Sequence, residues 1–183
     1  MLKHVLALSL ILVSGYAAAQ SEPAGFYVEG GAGRSHINEA CDAPLSCSLS
    51  DTGYKLVFGY QYGNGWAGEL AYVDYGKATG HLGPAWANLK VHGVEVGGAY
   101  SVPFGTDWSG ALRLGLANNH VSLDSSSGAT ASKSHTSAYV GLSVGYHLNQ
   151  HMSLNLGFDD SQANDTTGNL SVTLWYLSAK YLF

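Results

Sequence analysis

The chain ends with residues 170–183, LSVTLWYLSAKYLF, in which bulky apolar side chains alternate with smaller or polar ones. One face of this two-residue period carries Trp175, Leu177, Ala179, Tyr181 and Phe183, and the other carries Tyr176, Ser178 and Lys180. The first face suits lipid and the second suits a polar interior. In a soluble domain such a strand would expose an adhesive edge, so we expect it to close a barrel.

Seven earlier segments show the same alternation, namely residues 25–34, 53–62, 66–76, 89–102, 108–119, 136–148 and 151–160. The connections between them are alternately long and short, and the long ones are residues 35–51, 77–87, 120–134 and 161–168. Barrels with both chain ends on one side of a membrane have short turns on that side and long loops on the other. The sequence therefore predicts an all-β fold, an eight-stranded antiparallel up-and-down transmembrane β-barrel.

The composition agrees with a membrane barrel. The chain has 24 Gly, 12 Tyr and 4 Trp, and only 11% of its residues are charged, which is too few for an ordinary soluble surface. Beyond the N-terminus no apolar run approaches the ~18 residues that a membrane helix needs, so strands must cross the membrane. The chain has no basic stripe and a net charge of −5, so we expect no nucleic-acid partner.

The N-terminus predicts export. Residues 1–19 contain Lys3, an apolar run from Val5 to Val13 and three alanines before Gln20, which is the pattern of a secretory signal peptide. We expect this segment to be removed and residues 20–183 to form the barrel. The predicted location is a bacterial outer membrane, with both termini in the periplasm and the long loops outside.

The inward face of the predicted strands carries four acids and three bases: Glu29, Lys55, Glu69, Glu95, Arg113, Asp159 and Lys180. The interior of an eight-stranded barrel is just wide enough to be filled by side chains, so these groups must pair with one another. We expect a charged network that plugs the lumen. The alternative is that the charges line a narrow passive pore for ions or small solutes.

Two cysteines and five loop histidines suggest further sites. Cys41 and Cys47 lie in one exported connection and predict a disulfide, because two thiols without nearby histidines do not make a metal site. His36, His81, His92, His120 and His135 fall in or near the predicted long connections. A cluster of them could bind Zn²⁺ or sense pH. No two of them share a ligand spacing in the sequence, so we expect polar loop residues, no metal and no cofactor.

Several of these features resemble a known family. The stretches GYKLVFGY at residues 53–60 and ELAYVDYGK at residues 69–77, with the terminal YLF, are similar to the OmpA-like outer-membrane barrels. The residues of the 175–183 row resemble the C-terminal signal by which such barrels are assembled. The resemblance implies a monomer in contact with outer-membrane lipid, lipopolysaccharide and, during biogenesis, the barrel assembly machinery. We expect the transmembrane domain alone, without the peptidoglycan-binding domain of larger members.

The resemblance also implies a function. We expect a non-enzymatic barrel with a structural or surface-interaction role of the adhesin or resistance type, and the sequence does not identify its external partner. A remote alternative is a lipid A-modifying hydrolase, because His120-Val121-Ser122 is similar to the His-x-Ser pair of lipid A deacylases. That family has an Asn after the serine, where this chain has Leu123, and its catalytic acid has no evident counterpart.

Overall fold

The computed structural model describes residues 23–38, 46–82, 85–126, 128, 130–162 and 171–183. In these ranges the chain forms β-strands joined by turns. The strands are β1 (Gly25–Asn38), β2 (Ser46–Ser48), β3 (Ser50–Gln61), β4 (Trp66–Leu82), β5 (Ala85–Pro103), β6 (Trp108–Ser125), β7 (Thr130–His147), β8 (Met152–Gln162) and β9 (Ser171–Leu182).

The eight long strands form a closed antiparallel barrel. Each pairs with its neighbours along the chain, and β9 pairs with β1 to complete the ring. The short strand β2 lies outside this ring order and pairs with the far end of β4, where Cys47 is opposite Gly80. The predicted fold is therefore confirmed, including the closing role of the last strand.

The register fixes the shape of the barrel. From Ala32, one path around the ring passes Tyr54, Asp74 and His92 to Ser134, and the other passes Leu177 and Leu156 to Val144. The two paths thus meet β7 ten residues apart (144 − 134), so the shear number is ten. Eight strands with this stagger tilt by roughly 40° and enclose a narrow interior that side chains can fill.

The outer face changes character at one level. In the outward row of each long strand, aromatic and apolar residues give way to polar ones, the first of which are Arg34, Thr52, Asp74, His92, Asn118, Thr136, Asp160 and Thr173. On β9 the lipid-facing row runs from Trp175 to Phe183, eight residue steps that rise roughly 20 Å at this tilt. That height is close to the ~25 Å apolar band of transmembrane barrels.

Aromatic rings mark both edges of the band. At the short-turn end the exposed rings include Phe26, Tyr60, Tyr62, Trp66, Tyr100, Trp108, Tyr146, Tyr181 and Phe183. Several pack in pairs, such as Trp66 with Tyr100 at 4.8 Å between centroids. A second, sparser set lies at the opposite edge and comprises the exposed rings of Tyr54, Tyr72 and Trp175, with the half-buried Phe158 packed against Trp175. Such girdles are typical of the two membrane interfaces.

Beyond the second girdle the strands continue, which corrects two of the predicted connections. Residues 77–87 and 120–134 were expected to be long loops, but β4 reaches Leu82, β5 starts at Ala85, β6 reaches Ser125 and β7 starts at Thr130. The sequence pattern faded there because the outward residues become polar where the strands leave the apolar band. The hydrogen-bonded ladder continues regardless, and β4 to β7 form tall hairpins of 17–19 residues per strand.

The interior is layered along the barrel axis. An apolar cluster fills the lumen toward the long-hairpin end and comprises Ile37, Val73, Tyr75, Ala78, Val91, Val121, Val172, Leu174 and Tyr176. A second cluster of Tyr27, Val57, Ala67, Ala71, Ala99 and Leu182 lies toward the short-turn end. The charged side chains lie among residues of the second cluster, as Glu69 does between Ala67 and Ala71 on β4, and Glu95 is bonded to Tyr75 of the first of these two clusters. We call the first of them the apolar plug.

Candidate functional site in the barrel lumen

Arg113 on β6 is the centre of one charged cluster. Its Nη2 lies 2.7 Å from Glu29 Oε2, and its Nε lies 3.1 Å from Glu69 Oε2. Its Nη1 donates to Ser143 Oγ at 3.0 Å and to Tyr176 Oη at 3.1 Å. All three nitrogens of the guanidinium therefore donate hydrogen bonds, and its planar shape holds these donors in fixed directions.

The two carboxylates of the Arg113 cluster are also held from their far sides. Ser178 Oγ donates to Glu29 Oε1, and the hydroxyl of Tyr27 donates to Glu69 Oε1, both at 2.5 Å. Glu29 Oε1 thus has a partner other than Arg113, and Glu69 Oε1 accepts both from Tyr27 and from Arg113 Nε, which lies 3.2 Å away. Buried charges are tolerated when they are paired and hydrogen-bonded in this way.

Lys55 on β3 is the centre of the second charged cluster. Its Nζ lies 2.9 Å from Glu95 Oε2 and 2.5 Å from Asp159 Oδ2. The hydroxyl of Tyr75, a residue of the apolar plug, donates to Glu95 Oε1 at 3.3 Å. The Lys55 cluster therefore lies directly under the apolar plug and is hydrogen-bonded to it.

Tyr176 lies between the Arg113 cluster and the Lys55 cluster. Its hydroxyl accepts the bond from Arg113, while Lys55 Nζ is 5.7 Å from the centroid of its ring. Each cation thus has two carboxylate partners. Six of the seven predicted luminal charges therefore form two charged clusters, and Tyr176 contacts the cation of each.

Lys180, the seventh predicted charge, has a different position. Its Nζ donates to Gln61 Oε1 at 2.8 Å and lies 4.1 Å from the ring centroid of Tyr27. It is half-buried near the short-turn end, below the Arg113 cluster. Lys180 therefore belongs to the layer of Tyr27 and Gln61, and it is the register partner of Glu29 on the neighbouring strand.

The luminal tyrosines depend on glycines that the sequence analysis did not single out. Tyr27 is opposite Gly59, Tyr139 is opposite Gly115, and Tyr176 is opposite Gly157 in the strand register. A Cβ at Gly157 would lie 2.3 Å from the Tyr176 ring, and one at Gly59 would lie 2.2 Å from the Tyr27 ring. The rings thus lie over bare backbone, the packing known as aromatic rescue of glycine.

The free space around the charges is small. A polar cavity of about 20 Å³ lies below Arg113 and is lined in part by Ser109, Ser143 and Asn155. That is room for about one water molecule. Toward the other end the apolar plug fills the cross-section, with Val73, Val91, Val172 and Leu174 fully buried. The lumen is therefore packed at both of these levels.

The remaining predicted site residues lie elsewhere. Cys47 in β2 does not have a free thiol, but Cys41 lies outside the described residues, so the Cys41–Cys47 disulfide stays a prediction. The row Trp175, Leu177, Ala179, Tyr181 and Phe183 lies on the outer face of the closing strand, and its four larger side chains are exposed. Phe183 N also donates to Phe26 O at 2.9 Å.

The histidines lie on strands instead of in loops. His36, His81, His92, His120 and His135 belong to β1, β4, β5, β6 and β7, respectively. Nδ1 of His120 lies 2.9 Å from Ser134 Oγ on the neighbouring strand, so this nitrogen is engaged by a serine other than Ser122 of the His-x-Ser pair. His120 and Ser122 are two residues apart on one face of β6, which separates their Cα atoms by about 7 Å.

Two further kinds of feature are absent from the described residues. No group of three or more His, Cys, Asp or Glu side chains in this part of the chain could hold a metal ion. In the same part of the chain no helix is long and apolar enough to cross a membrane.

Comparison with known proteins identifies the family. The family model described as "Outer membrane protein beta-barrel domain" matches residues 5–183. The chain belongs to this family. Its location in a bacterial outer membrane follows from that membership. Among curated protein sequences, none matches this outer-membrane barrel.

Solved structures of small outer-membrane barrels share its fold. Neisserial surface protein A superposes with a TM-score of 0.67 at 20% identity, covering 88% of this chain and 100% of that one. Ail, the attachment invasion locus protein of Yersinia pestis, in complex with the heparin analogue sucrose octasulfate, gives 0.61 at 17% identity, with 87% and 99% covered. The N-terminal barrel of Pseudomonas aeruginosa OprF gives 0.56 at 16%, with 88% and 100% covered.

Proposed function

We propose that this outer-membrane barrel is a closed, non-enzymatic surface protein whose tall hairpins make contacts outside the cell. The observation that carries the proposal is the apolar plug. A conducting pore needs a hydrated path, and here nine side chains form an apolar cluster across the lumen above two paired charge clusters. The one-water cavity below Arg113 is too small for a solute.

The lengths of the connections support the orientation that we propose. The turns at one end are short, and the hairpins at the other end extend well past the apolar band. Outer-membrane barrels have short periplasmic turns and longer extracellular segments. We therefore place the β4–β5 and β6–β7 hairpins outside the cell, where a rigid sheet is available to a partner.

Trp86 is the residue on these hairpins best suited to contact a partner. It is 40% exposed in the outward row of β5, eight residues beyond Val94, which places it roughly 20 Å above the apolar band. Its N donates to Ser126 Oγ at 3.2 Å, and its O accepts from Ser126 N at 2.9 Å. A tryptophan on a rigid backbone loses little entropy on binding and is a frequent hot spot.

Adhesion of bacteria that display the protein tests this proposal. Cells expressing the parent should bind host cells or extracellular matrix above the level of cells carrying an empty vector. Trp86→Ala should lower the gain at least several-fold, since hot-spot truncations cost ≥ 2 kcal/mol. Ser132→Ala, an exposed small residue on β7, is the matched control and should bind like the parent.

Planar-bilayer conductance is the second measurement. The parent should show no steady channel, because the plug leaves no hydrated path. Regular conductance steps from the purified parent would contradict the proposal and support the narrow passive pore. The polar cavity beside Arg113 is the observation that favours that second candidate, since it hydrates part of the lumen's length.

The absence of enzymatic activity is part of the same proposal. Nδ1 of His120 is engaged by Ser134, and its ring packs against His92; both contacts support the view that the His120-x-Ser122 pair is not an activated nucleophile. Mass spectrometry of lipid A from cells that express the barrel should show unchanged acylation. Loss of an acyl chain that depends on Ser122 would overturn this assignment.

A further inference from the structure

Two histidines face outward side by side, just beyond the apolar band. His92 on β5 and His120 on β6 are direct partners in the strand register, and their ring centroids are 5.2 Å apart with planes inclined by 49°. Both are half-buried. They are the first or second polar residues above the level where the outward rows change, so water reaches them at the membrane surface.

The spacing of the two rings suits a metal ion. A Zn–N bond of ~2.0–2.1 Å and a ring radius of about 1.2 Å place each imidazole centroid about 3.2 Å from a bound Zn²⁺. Two such centroids 5.2 Å apart subtend about 109° at the metal, which is the tetrahedral angle that Zn²⁺ prefers.

Ser134 supplies the support that metal-binding histidines usually have. Nδ1 of His120 lies 2.9 Å from Ser134 Oγ. In the tautomer in which Nδ1 donates this bond, Nε2 carries the lone pair that a metal requires. Such partners fix the ring and its tautomer in protein metal sites.

The neighbouring side chains leave the pair as the two protein ligands. Asp74 is next to His92 across β4 and β5, but no group of three such side chains in the described residues could hold a metal ion, and Asp74 Oδ1 accepts from Gly76 N at 2.7 Å. Asn118 donates to Thr136 Oγ1 at 2.7 Å. Tyr72 packs against His92 at 6.3 Å between centroids and forms the apolar side of the site.

We propose that His92 and His120 form a surface site for a divalent transition metal, with Zn²⁺ as the fitting ion. The remaining coordination positions are taken by water, so the site is exchangeable and differs from a structural zinc centre with four protein ligands. It is independent of the luminal charges and of the proposed adhesive role.

His36 provides a matched control within the same barrel. It also faces outward beyond the apolar band, and its Nδ1 lies 3.0 Å from a serine hydroxyl, that of Ser50. Its register partners are Ser50 and Thr173, so it has no histidine beside it. His36 therefore has the same kind of serine partner as His120, but its register partners do not supply a second imidazole.

Isothermal titration of the untagged, refolded barrel with ZnCl₂ tests the proposal. The parent and His36→Gln should bind one Zn²⁺ with the same affinity. His92→Gln and His120→Gln should each weaken binding at least tenfold, and Ser134→Ala by roughly 10–100-fold, the usual effect of losing an outer-shell partner. Heat-modifiable migration on gels checks that each variant is folded.

Pulsed electron paramagnetic resonance with Cu²⁺ counts the ligands directly, because it detects coordinated imidazole nitrogens. Two imidazoles are expected in the parent and in His36→Gln, and one in each single variant of the pair. A parent without saturable Zn²⁺ uptake would overturn the proposal. So would a His92→Gln/His120→Gln double variant that binds like the parent, or a loss in His36→Gln as large as that in His120→Gln.

Discussion

Arg113 and Lys55 each neutralise two carboxylates, but they do so in different ways. Arg113 donates to Glu29, Glu69, Ser143 and Tyr176 through three nitrogens held in one plane. Lys55 approaches its two carboxylates with a single ammonium group. Replacing the arginine with lysine would preserve the charge but not the four directions of hydrogen bonding.

We expect Arg113→Ala to lower the free energy of unfolding by about 3–5 kcal/mol, because it strands two buried carboxylates. Arg113→Lys should cost less, since one ion pair can re-form. The measurement is the urea midpoint of the barrel refolded in detergent micelles. Arg34→Ala removes an exposed outward arginine and is the control, expected to match the parent. Equal midpoints for Arg113→Ala and Arg34→Ala would show that the Arg113 cluster does not stabilise the fold.

The glycine under Tyr176 gives a second expectation. Gly157→Ala would place a Cβ 2.3 Å from the tyrosine ring and displace it from Arg113, so we expect a loss of stability of about 1–3 kcal/mol, typical of overpacking. Gly30→Ala on the outer face meets nothing closer than 3.9 Å and should be neutral or stabilising. The comparison uses urea midpoints and the near-ultraviolet circular dichroism of the tyrosines. Identical results for the two variants would contradict the packing of Tyr176.

The sequence predicts the direction of these side chains better than their partners. The two-residue period is enough to turn Glu29, Lys55 and Arg113 inward, because side chains alternate strictly along a strand. Which carboxylate meets which cation depends on the stagger of distant strands, which no local pattern encodes. The pairing of His92 with His120 was missed for the same reason, since its basis is the register of β5 with β6.

The closing strand β9 connects the first and last parts of the chain. It pairs with both β1 and β8, and the backbone bond from Phe183 N to Phe26 O extends the seam to its end. The ring of Phe183 is 71% exposed and packs against Tyr181 at 5.0 Å between centroids. Its contribution to packing within the folded barrel is therefore small, so a strong effect of its removal would indicate a role in assembly.

We expect deletion of Phe183 to prevent assembly in cells while export continues. Heat-modifiable migration of the outer-membrane fraction should disappear, and the chain should accumulate in the periplasm. Phe104→Ala removes another exposed aromatic residue, outside β9, and should assemble normally. Normal assembly of the truncated chain would show that the terminal ring is not the recognised feature.

The strands show where sequence reasoning about elements succeeds and where it ends. Within the apolar band, rows such as Leu112, Leu114 and Leu116 made each strand visible. Above the band the outward row continues as Asn118, His120 and Ser122, and the contrast between faces is lost. The predicted strand therefore ended at the membrane surface, whereas the real one ends where its hydrogen-bonded partner ends.

The lumen of the barrel has two barriers to the passage of ions, which follow one another along its axis: the charged clusters and the apolar plug. We expect Arg113→Ala alone to leave the barrel non-conducting, because Ile37, Val91 and Val121 still exclude water from the lumen. Adding Val91→Ser and Val121→Ser should hydrate the plug and produce steady conductance in planar bilayers. The two serine changes without Arg113→Ala are the control. Conductance from Arg113→Ala alone would place the main barrier at the charges.

The function was less predictable than the fold, for a physical reason. Membrane spanning imposes a repeating pattern on every strand, whereas a binding surface needs only a few residues. Trp86 is one exposed ring in a stretch that the sequence presented as a loop, and nothing near it repeats. The features that identify the fold are therefore spread over the chain, whereas the contact surface that we propose is local.

The six central charges come from six different strands, β1, β3, β4, β5, β6 and β8, and each ion pair joins strands that are not neighbours in the barrel. A single hairpin inserting alone would therefore carry its central charges into the hydrocarbon without the partners they have in the closed barrel. Neutralisation is complete only when distant parts of the chain meet across the lumen. Crossing the bilayer and closing the ring are thus coupled into one cooperative event, and partly inserted intermediates are disfavoured by their own uncompensated charge.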